Sequence, residues 1–582
     1  MENFFTDNPD IQFLFNNMDL KEIADLKEGD YSDAEKYDHA FTDAEDAKEG
    51  YREVLTLVGD ITARIIAPLA PEIDEEGCHF ENGKVTYPKG IQKALDILNK
   101  SNLMGFTLPR KYGGLNLPTF AYSIAIEMVS QADASLMNIF GLQDIAETIN
   151  EFADEELKAK YLPLFASGKV TGAMALTEPD AGSDLQAVQL KATYDETTGM
   201  WQLKGVKRFI TNGCGDVLLV LARSEPGTKD GRGLSMFLCE RDESLVVRRI
   251  ENKLGIHGSP TCELQFNNTK AYLVGKRKLG LIRYVMSLMN GARLGIAAQG
   301  LGIAQAAYLE GLEYAKAREQ FGTAIIHIPL VYDMLVNALV NIEAARLLTY
   351  ETARVVDLKK GYEKKLERME KPDPETRQKA RYYNALANLL TPMAKYLATE
   401  YANKVAYDML QVHGGTGYMK DFNIERHYRD ARITNIYEGT TQLQYVAAMG
   451  GVVTRVMEPE FDKIEAEATD SFQKMLLSEL KEKRNMLNDV LNYLKEKDDH
   501  FYQSYHSGRV VDMATKLFTS YLFVKYAPLS EHKQKIAEIF VDREMPEIEK
   551  NYRLVRSGKD LVVKEYEKVL LEEEAEKAAT GG

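Results

Sequence analysis

The apolar residues of this chain change their period twice, near residue 168 and near residue 280, and no single layer of secondary structure satisfies both periods. Between residues 51 and 167 they recur at helical spacing, as in Ile91, Ala94, Leu95 and Leu98, and "PRKYGG" (109–114) reads as a turn between helices. From 168 to 280 the pattern is that of short strands and hairpins. "LKATYDETTGMWQLKGVKRFIT" sets turn residues Asp195 to Gly199 between alternating runs, and "DVLLVLARS" and "LSMFLCE" follow. Residues 281–450 return to helix. In the segment 283–320, Leu301, Ala304, Tyr308, Gly311 and Ala315 mark one stripe, and Gly291, Gly295, Gly300 and Gly302 predict a close backbone approach. A second helix carries Leu335, Ala338, Ile342 and Ala345. After "ERMEKPDPETRQ" two more helices are expected, the later one starting at Thr391-Pro392 as N-cap and first-turn proline and ending at the glycine terminator His413-Gly414-Gly415.

The chain's 582 residues exceed what one compact core usually holds, so two to four domains are expected. Two further segments flank the three above. Residues 1–50 hold 15 acids against 4 lysines and a few aromatics, Phe4, Phe5, Phe13 and Phe15, which predicts a partly docked acidic arm. Residues 451–582 contain an amphipathic run (Met475, Leu476, Leu480, Met486, Val490, Leu491, Leu494) and two more helical stretches, "MATKLFTSYLFVKY" and "DLVVKEYEKVLL", which predict an additional helical bundle.

No uninterrupted apolar run of 18 residues occurs, and MENFFTDNPD is acidic where an export signal is basic and then apolar, so a cytoplasmic protein is expected. Cys78, Cys214, Cys239 and Cys262 are widely spaced and form no ligand set with the nine histidines, which predicts neither a disulfide frame nor a metal site. A net charge of −16 argues against duplex nucleic acid as a partner.

Within "RITNIYEGTTQLQ" (432–444), Glu438 is a lone carboxylate among small, aliphatic and amide side chains. Such an acid is costly beside a core unless something pairs with it or uses it. "TEPDAGSD" (177–184) puts hydroxyls and backbone amides on a glycine-containing turn after an apolar strand, which by itself reads as an ordinary strand exit. "KRFITNG" ends a strand on which alternation sends Phe209 and Thr211 one way and Ile210 the other. Arg318, Gln320 and Phe321 follow a helix and by themselves read as a solvated helix end. His257, in "GIHGSP", reads as a structural hydrogen bonder.

Taken in order, "AMALTEPDAGSD", "GVKRFITNG", "GARLGIAAQGLGIAQAAY", "AKAREQFG", "QVHGGTGY" and "ERHYRDARITNIYEGTTQLQ" resemble the acyl-CoA dehydrogenases over residues 60–450. The extension from 451, with "KLGIHGSPTCELQF", resembles a larger bacterial branch that includes methylmercaptopropionyl-CoA dehydrogenase-like members. The resemblance implies an α+β fold of N-terminal helical domain, middle β domain and C-terminal four-helix bundle, with the additional helical domain after it.

It also implies FAD, held by Leu176, Thr177, Gly182, Ser183, Phe209, Ile210, Thr211, Thr440 and Gln442. Across a dimer interface, Arg318, Gln320, Phe321, Gln411, Gly414 and Gly415 complete the cofactor site. Ser183, Asn290 and Arg293 are the implied substrate-side residues. Asn290 stands where many relatives have aspartate, which departs from the usual CoA-side pattern. Glu438 is the implied base for the proton alpha to the thioester, with Gly439 leaving room for the acyl chain. The alternative base position before Arg293 is Ala292 here. The expected partners are an acyl-CoA, an electron-transfer flavoprotein and a second copy of the chain. An acyl-CoA oxidase, or a non-catalytic or DNA-binding member of the fold, is the alternative; acidity and the presence of Glu438 argue against the latter.

Overall fold

Helical, strand and helical segments follow one another as the apolar periods require. A computed structural model describes residues 1–29 and 31–571, and these fall into two compact units: residues up to 387 with 394–440, and residues 388–393 with 441–571.

In the first unit the N-terminal lobe contains α1 (Pro9–Asn17), α2 (Lys21–Glu28), α3 (Ala44–Ile61), α4 (Ala70–Glu76), a hairpin of β1 (His79–Glu81) and β2 (Lys84–Thr86), α5 (Lys89–Lys100), α6 (Thr119–Ala132), α7 (Ala134–Phe140), α8 (Gln143–Phe152) and α9 (Glu155–Ala166). The first 50 residues are an integral part of this lobe, beyond the partial docking expected of them. The Asn8 side chain caps α1 by accepting from the amides of Asp10 and Ile11. Phe5 and Phe15 are fully buried edge-to-face, and Phe15 meets Phe120 of α6. The acid excess is partly neutralised inside, where Glu28 accepts from Arg110 at 2.6 Å with both side chains sealed from solvent. Residue 50 lies within α3. The run from Ala44 to Glu76 is long and apolar enough by composition to cross a membrane. Here Tyr51, Leu55, Val58, Ile61 and Ile66 bury its inner face in the lobe.

The middle region holds β3 (Gly172–Ala175), β4 (Lys191–Asp195), β5 (Met200–Thr211), β6 (Val217–Arg223), β7 (Leu234–Glu240), β8 (Leu245–Ile250) and β9 (Thr261–Val274). Strands β6, β4, β5, β9 and β7 pair in a ring that β7 closes on β6, with β3 beside β6 and β8 beside β9. The expected hairpin is present, pairing Asp195 with Met200. All seven residues of β6 are buried because it feeds a core on each face. Val217, Leu219 and Leu221 face one, and Leu218, Val220 and Ala222 the other.

The long helices α10 (Met286–Ala317), α11 (Pro329–Arg368) and α12 (Pro374–His413) follow, with β10 (Glu319–Gln320) and β11 (Thr323–Ala324) between the first two and α13 (Ile424–Thr434) after the third. The close approach predicted from the α10 glycines occurs at Gly302, where a Cβ would lie 2.3 Å from the Glu127 carbonyl of α6. A sealed network joins these helices: Arg346 of α11 donates to Glu127 at 2.8 Å, and also to Glu343 and to Gln305 of α10. Thr391-Pro392 does not begin a helix. Pro392 sits inside the continuous α12, where the buried Leu389, Leu390, Met393, Ala394 and Leu397 offset the ~3 kcal/mol that an interior proline costs. The terminator holds, since α12 ends at His413 with Gly414 at φ 61°.

The second unit contains α14 (Thr441–Val453), α15 (Glu458–Glu467), α16 (Ser471–Lys497), α17 (His500–Tyr526), α18 (Glu531–Arg556) and α19 (Leu561–Leu570). Helices α16, α17 and α18 pack pairwise, and α14 and α15 lie on α17. Leu476, Leu480, Val490, Leu491 and Leu494 bury the predicted face of α16, while Met475 stays half exposed.

Candidate active site

Between α13 and α14 the chain makes a tight turn with two consecutive left-handed residues, Glu438 (φ 55°) and Gly439 (φ 88°). Glycine adopts this freely, whereas glutamate does so at a cost of about 1–2 kcal/mol, so the surroundings must hold it. Lys395 of α12 does so. It is fully buried, and its ammonium donates to the carbonyls of Tyr437 (2.7 Å) and Gly439, the two residues flanking Glu438. The turn is held again through the Tyr437 hydroxyl, which donates to Gln299 of α10 and lies 3.1 Å from Asn138 Oδ1 of α7. Gln299 in turn donates to Asn138 Oδ1 and to the Ala134 carbonyl.

The charges around Glu438 oppose one another. Burial pushes its carboxyl above the ordinary carboxylate value, and the Lys395 ammonium and the Arg293 guanidinium, in that order, pull it back. Lys395 itself is pushed down to about 7 by burial, against the pull of Glu438. Arg293, buried on α10, donates through Nη1 to Asn290 Oδ1 at 3.1 Å, while its Nε is buried without a hydrogen-bond partner among the described residues. Asn290 thus orients the arginine at the position where the sequence departs from the common pattern. Glu438, Asn290 and Arg293 are brought together; Thr440 closes the same turn, and Gln442 is exposed on the first turn of α14.

The loop after β3 is built differently. Glu178 and Ala181 exchange two backbone hydrogen bonds, which leaves Gly182 and Ser183 exposed beyond a tight bend and Thr177 half-buried before it. Leu176 is buried. The Glu178 carboxylate accepts from the amides of Gln189 (2.7 Å) and Leu190 (2.9 Å) and from the buried Lys207 ammonium (2.9 Å). Lys207 also donates to the Leu176 carbonyl at 2.7 Å, so one cation anchors the start of the loop. On β5 a register shift between Lys207 and Ile210 interrupts the simple alternation read from "KRFIT". Phe209 occupies the bulge at φ 59°, half exposed under the Arg208 guanidinium, while Ile210 is buried and Thr211 intermediate.

Arg318, Gln320 and Phe321 are more than a helix end. They belong to the β10–β11 hairpin, whose two-residue turn, Phe321-Gly322, has positive φ at both positions. Phe321 is 96% exposed. The base of the hairpin is joined to the segment after α12: Tyr314 stacks on His413 at 4.3 Å and its hydroxyl meets Thr416 Oγ1 at 3.0 Å. Exposed Gln411, Gly414 and Gly415 therefore lie by the same end of α10 as Arg318, and a Cβ on either glycine would meet open space. His257 is structural in its contacts. Its ring nitrogens bond the Lys253 carbonyl and Asp74, which also pairs with Arg429.

Three domain models cover most of this first unit: acyl-CoA dehydrogenase N-terminal domain (residues 48–169), middle domain (173–269) and C-terminal domain (282–449). An acyl-CoA dehydrogenase of Bacillus subtilis is 37% identical over 398 residues, covering 67% of this chain and 94% of that protein. The chain belongs to the acyl-CoA dehydrogenase family. It is an oxidoreductase acting on a CH–CH bond, and the family is FAD-dependent. The 3-methylmercaptopropionyl-CoA dehydrogenase of Ruegeria pomeroyi is 34% identical over 434 residues, covering 69% of this chain and 71% of that enzyme. The structure of a Bacillus anthracis acyl-CoA dehydrogenase complexed with FAD shares the fold over 87% of this chain and 88% of its own, at 23% identity and a TM-score of 0.74.

The residues present suit FAD chemically. Hydroxyls and amides surround a glycine loop, Phe209 offers an exposed aromatic platform, and Arg318 accompanies an open glycine ledge. Sequence reasoning missed the residues that hold the site, namely Glu178, Lys207, Lys395, Tyr437 and Gln299. The available signal was a lysine on an otherwise apolar helix segment, "PMAKYLA"; Lys207 stands in a strand with other polar residues and gave none.

Proposed function

We propose that the protein oxidises an acyl-CoA across its alpha and beta carbons with Glu438 as the base, and passes the electrons to an electron-transfer flavoprotein. The turn at Glu438 carries this reading. A carboxylate in a recess, held in left-handed backbone by Lys395, is raised above its ordinary pKa yet kept from full neutralisation by two cations. Such an acid is more basic than an ordinary carboxylate, as removal of a proton alpha to a thioester requires. The Glu438 backbone N–H serves the thioester oxygen as negative charge gathers there. FAD, when bound, supplies the acceptor for the hydride leaving the beta carbon. Leu176, Thr177, Gly182, Ser183, Phe209, Ile210, Thr211, Thr440 and Gln442 form one half of its site. Arg318, Gln320, Phe321, Gln411, Gly414 and Gly415, which project from the end of the helices, serve the cofactor of a second copy, so the working form is a homodimer in the cytoplasm. Anaerobic mixing of the protein with a panel of acyl-CoAs tests the reading. Flavin bleaching by at least one thioester, with reoxidation by electron-transfer flavoprotein outpacing that by air, is the expected result. Absence of bleaching by every thioester would overturn it.

A further inference from the structure

Helix α8 carries Asp144, Glu147 and Glu151 at spacings of three and four, on one stripe of the helix. Their surroundings differ. Glu147 accepts from the Lys360 ammonium of α11 at 2.7 Å, and Glu151 accepts from the Ser287 hydroxyl at 3.3 Å. The Asp144 carboxyl has no hydrogen-bond or ion-pair partner among the described residues. It faces α10 instead, with one oxygen 3.6 Å from where a Cβ on Gly291 would sit, between Asn290 and the helix turn of Arg293. The charge of Glu438 bears on Asp144 as it does on Arg293, which puts the two carboxyls within electrostatic reach of one another. Burial, with Glu147 and Glu438 nearby, pushes it up to about 8.

An all-hydrocarbon acyl chain in this recess would cover the carboxyl and give it nothing to bond. Lys360, the cation that acts on Asp144, is already committed to Glu147, and Lys395 to the carbonyls flanking Glu438. We propose that the recess takes acyl-CoAs whose chain carries a protonated amine beyond the beta carbon, with Asp144 as its counter-ion. This rests on the acyl-CoA dehydrogenation reading and specifies its substrate class. A cation there satisfies Asp144, separates its charge from that of Glu438, and favours the negative charge that builds on the thioester.

The test uses thioesters of similar length: 5-aminopentanoyl-, 5-hydroxypentanoyl-, hexanoyl- and glutaryl-CoA. Each is followed by anaerobic flavin bleaching in the holoenzyme and, separately, by calorimetric binding to Glu438→Gln, where no reduction is needed. The expected result is 5-aminopentanoyl-CoA favoured over hexanoyl-CoA at least ten-fold in kcat/KM and in Kd. Asp144→Asn should erase that preference and Asp144→Leu should reverse it. A wild-type preference for hexanoyl- or glutaryl-CoA overturns the proposal without help from any variant. Equal handling of the hydroxy and amino chains would assign a neutral donor and overturn the cation. Bleaching by none of the four, nor by any other thioester, would reject the dehydrogenase reading itself.

Discussion

Two buried lysines hold two loops of the candidate site, and they do it in different ways. Lys207 fastens the loop after β3 through an ion pair with Glu178, and that carboxylate is consumed by structure, bonded to two amides as well. Lys395 fastens the Glu438 turn through two backbone carbonyls, those of the residues on either side of the acid. An ammonium has three donors and no shape preference, so it can serve either as a counter-ion or as a clamp on the main chain.

Removing the acid on the reactive side gives the largest expected effect. Glu438→Gln should slow flavin reduction by about 10²–10⁴-fold or more while acyl-CoA still perturbs the flavin spectrum, since the side-chain shape and the backbone N–H remain. Near-normal reduction in stopped flow would place the base elsewhere. On the structural side, Lys207→Met strands Glu178 in the interior, and denaturant titration should register a loss of roughly 3–5 kcal/mol. The double variant Lys207→Met/Glu178→Gln should regain part of it, because it removes the stranded charge and keeps an oxygen that accepts from a loop amide. If it does not, the pair is not what holds the loop.

Lys395→Met sharpens the comparison, because it removes both a clamp and a charge. Two stranded carbonyls should cost about 1–3 kcal/mol each. The sign of the pH effect is set by the ammonium, which lowers the Glu438 pKa. Without it the carboxyl is protonated up to a higher pH, so the rise of flavin reduction with pH should move to the alkaline side. An unmoved profile would reduce Lys395 to a purely mechanical role. The smallest effect concerns the exposed hairpin: Arg318→Ala should weaken FAD retention by about 1.5–3 kcal/mol, read as flavin lost on dialysis.

Much of the fold was legible because period survives in sequence. Strand β6, the Asp195–Gly199 hairpin and the glycine stop after His413 all follow from local rules. Thr391-Pro392 misled because a local helix-start signal was outweighed by the burial of its neighbours along α12. Phe209 misled in part because a bulge shifts register without any mark in the residue types. The acidic first 50 residues were harder still. They join the lobe because Phe15 meets Phe120 of α6 and Glu28 meets Arg110 of a 3-10 turn, both distant in sequence.

The sequence by itself determined which side chains the chemistry can draw on: one acid in a glycine-bordered turn, a glycine and hydroxyl loop after a strand, and an arginine-bearing segment after a helix. Those depend on residue type and local spacing, which a linear order carries. The tertiary structure alone decided that Lys395, 43 residues before Glu438, braces its backbone, and that Asp144, nearly 300 residues before it, feels its charge and packs on α10 beside Gly291. Desolvation and charge coupling depend on distances through space, and only the packing of α8, α10 and α12 sets those distances.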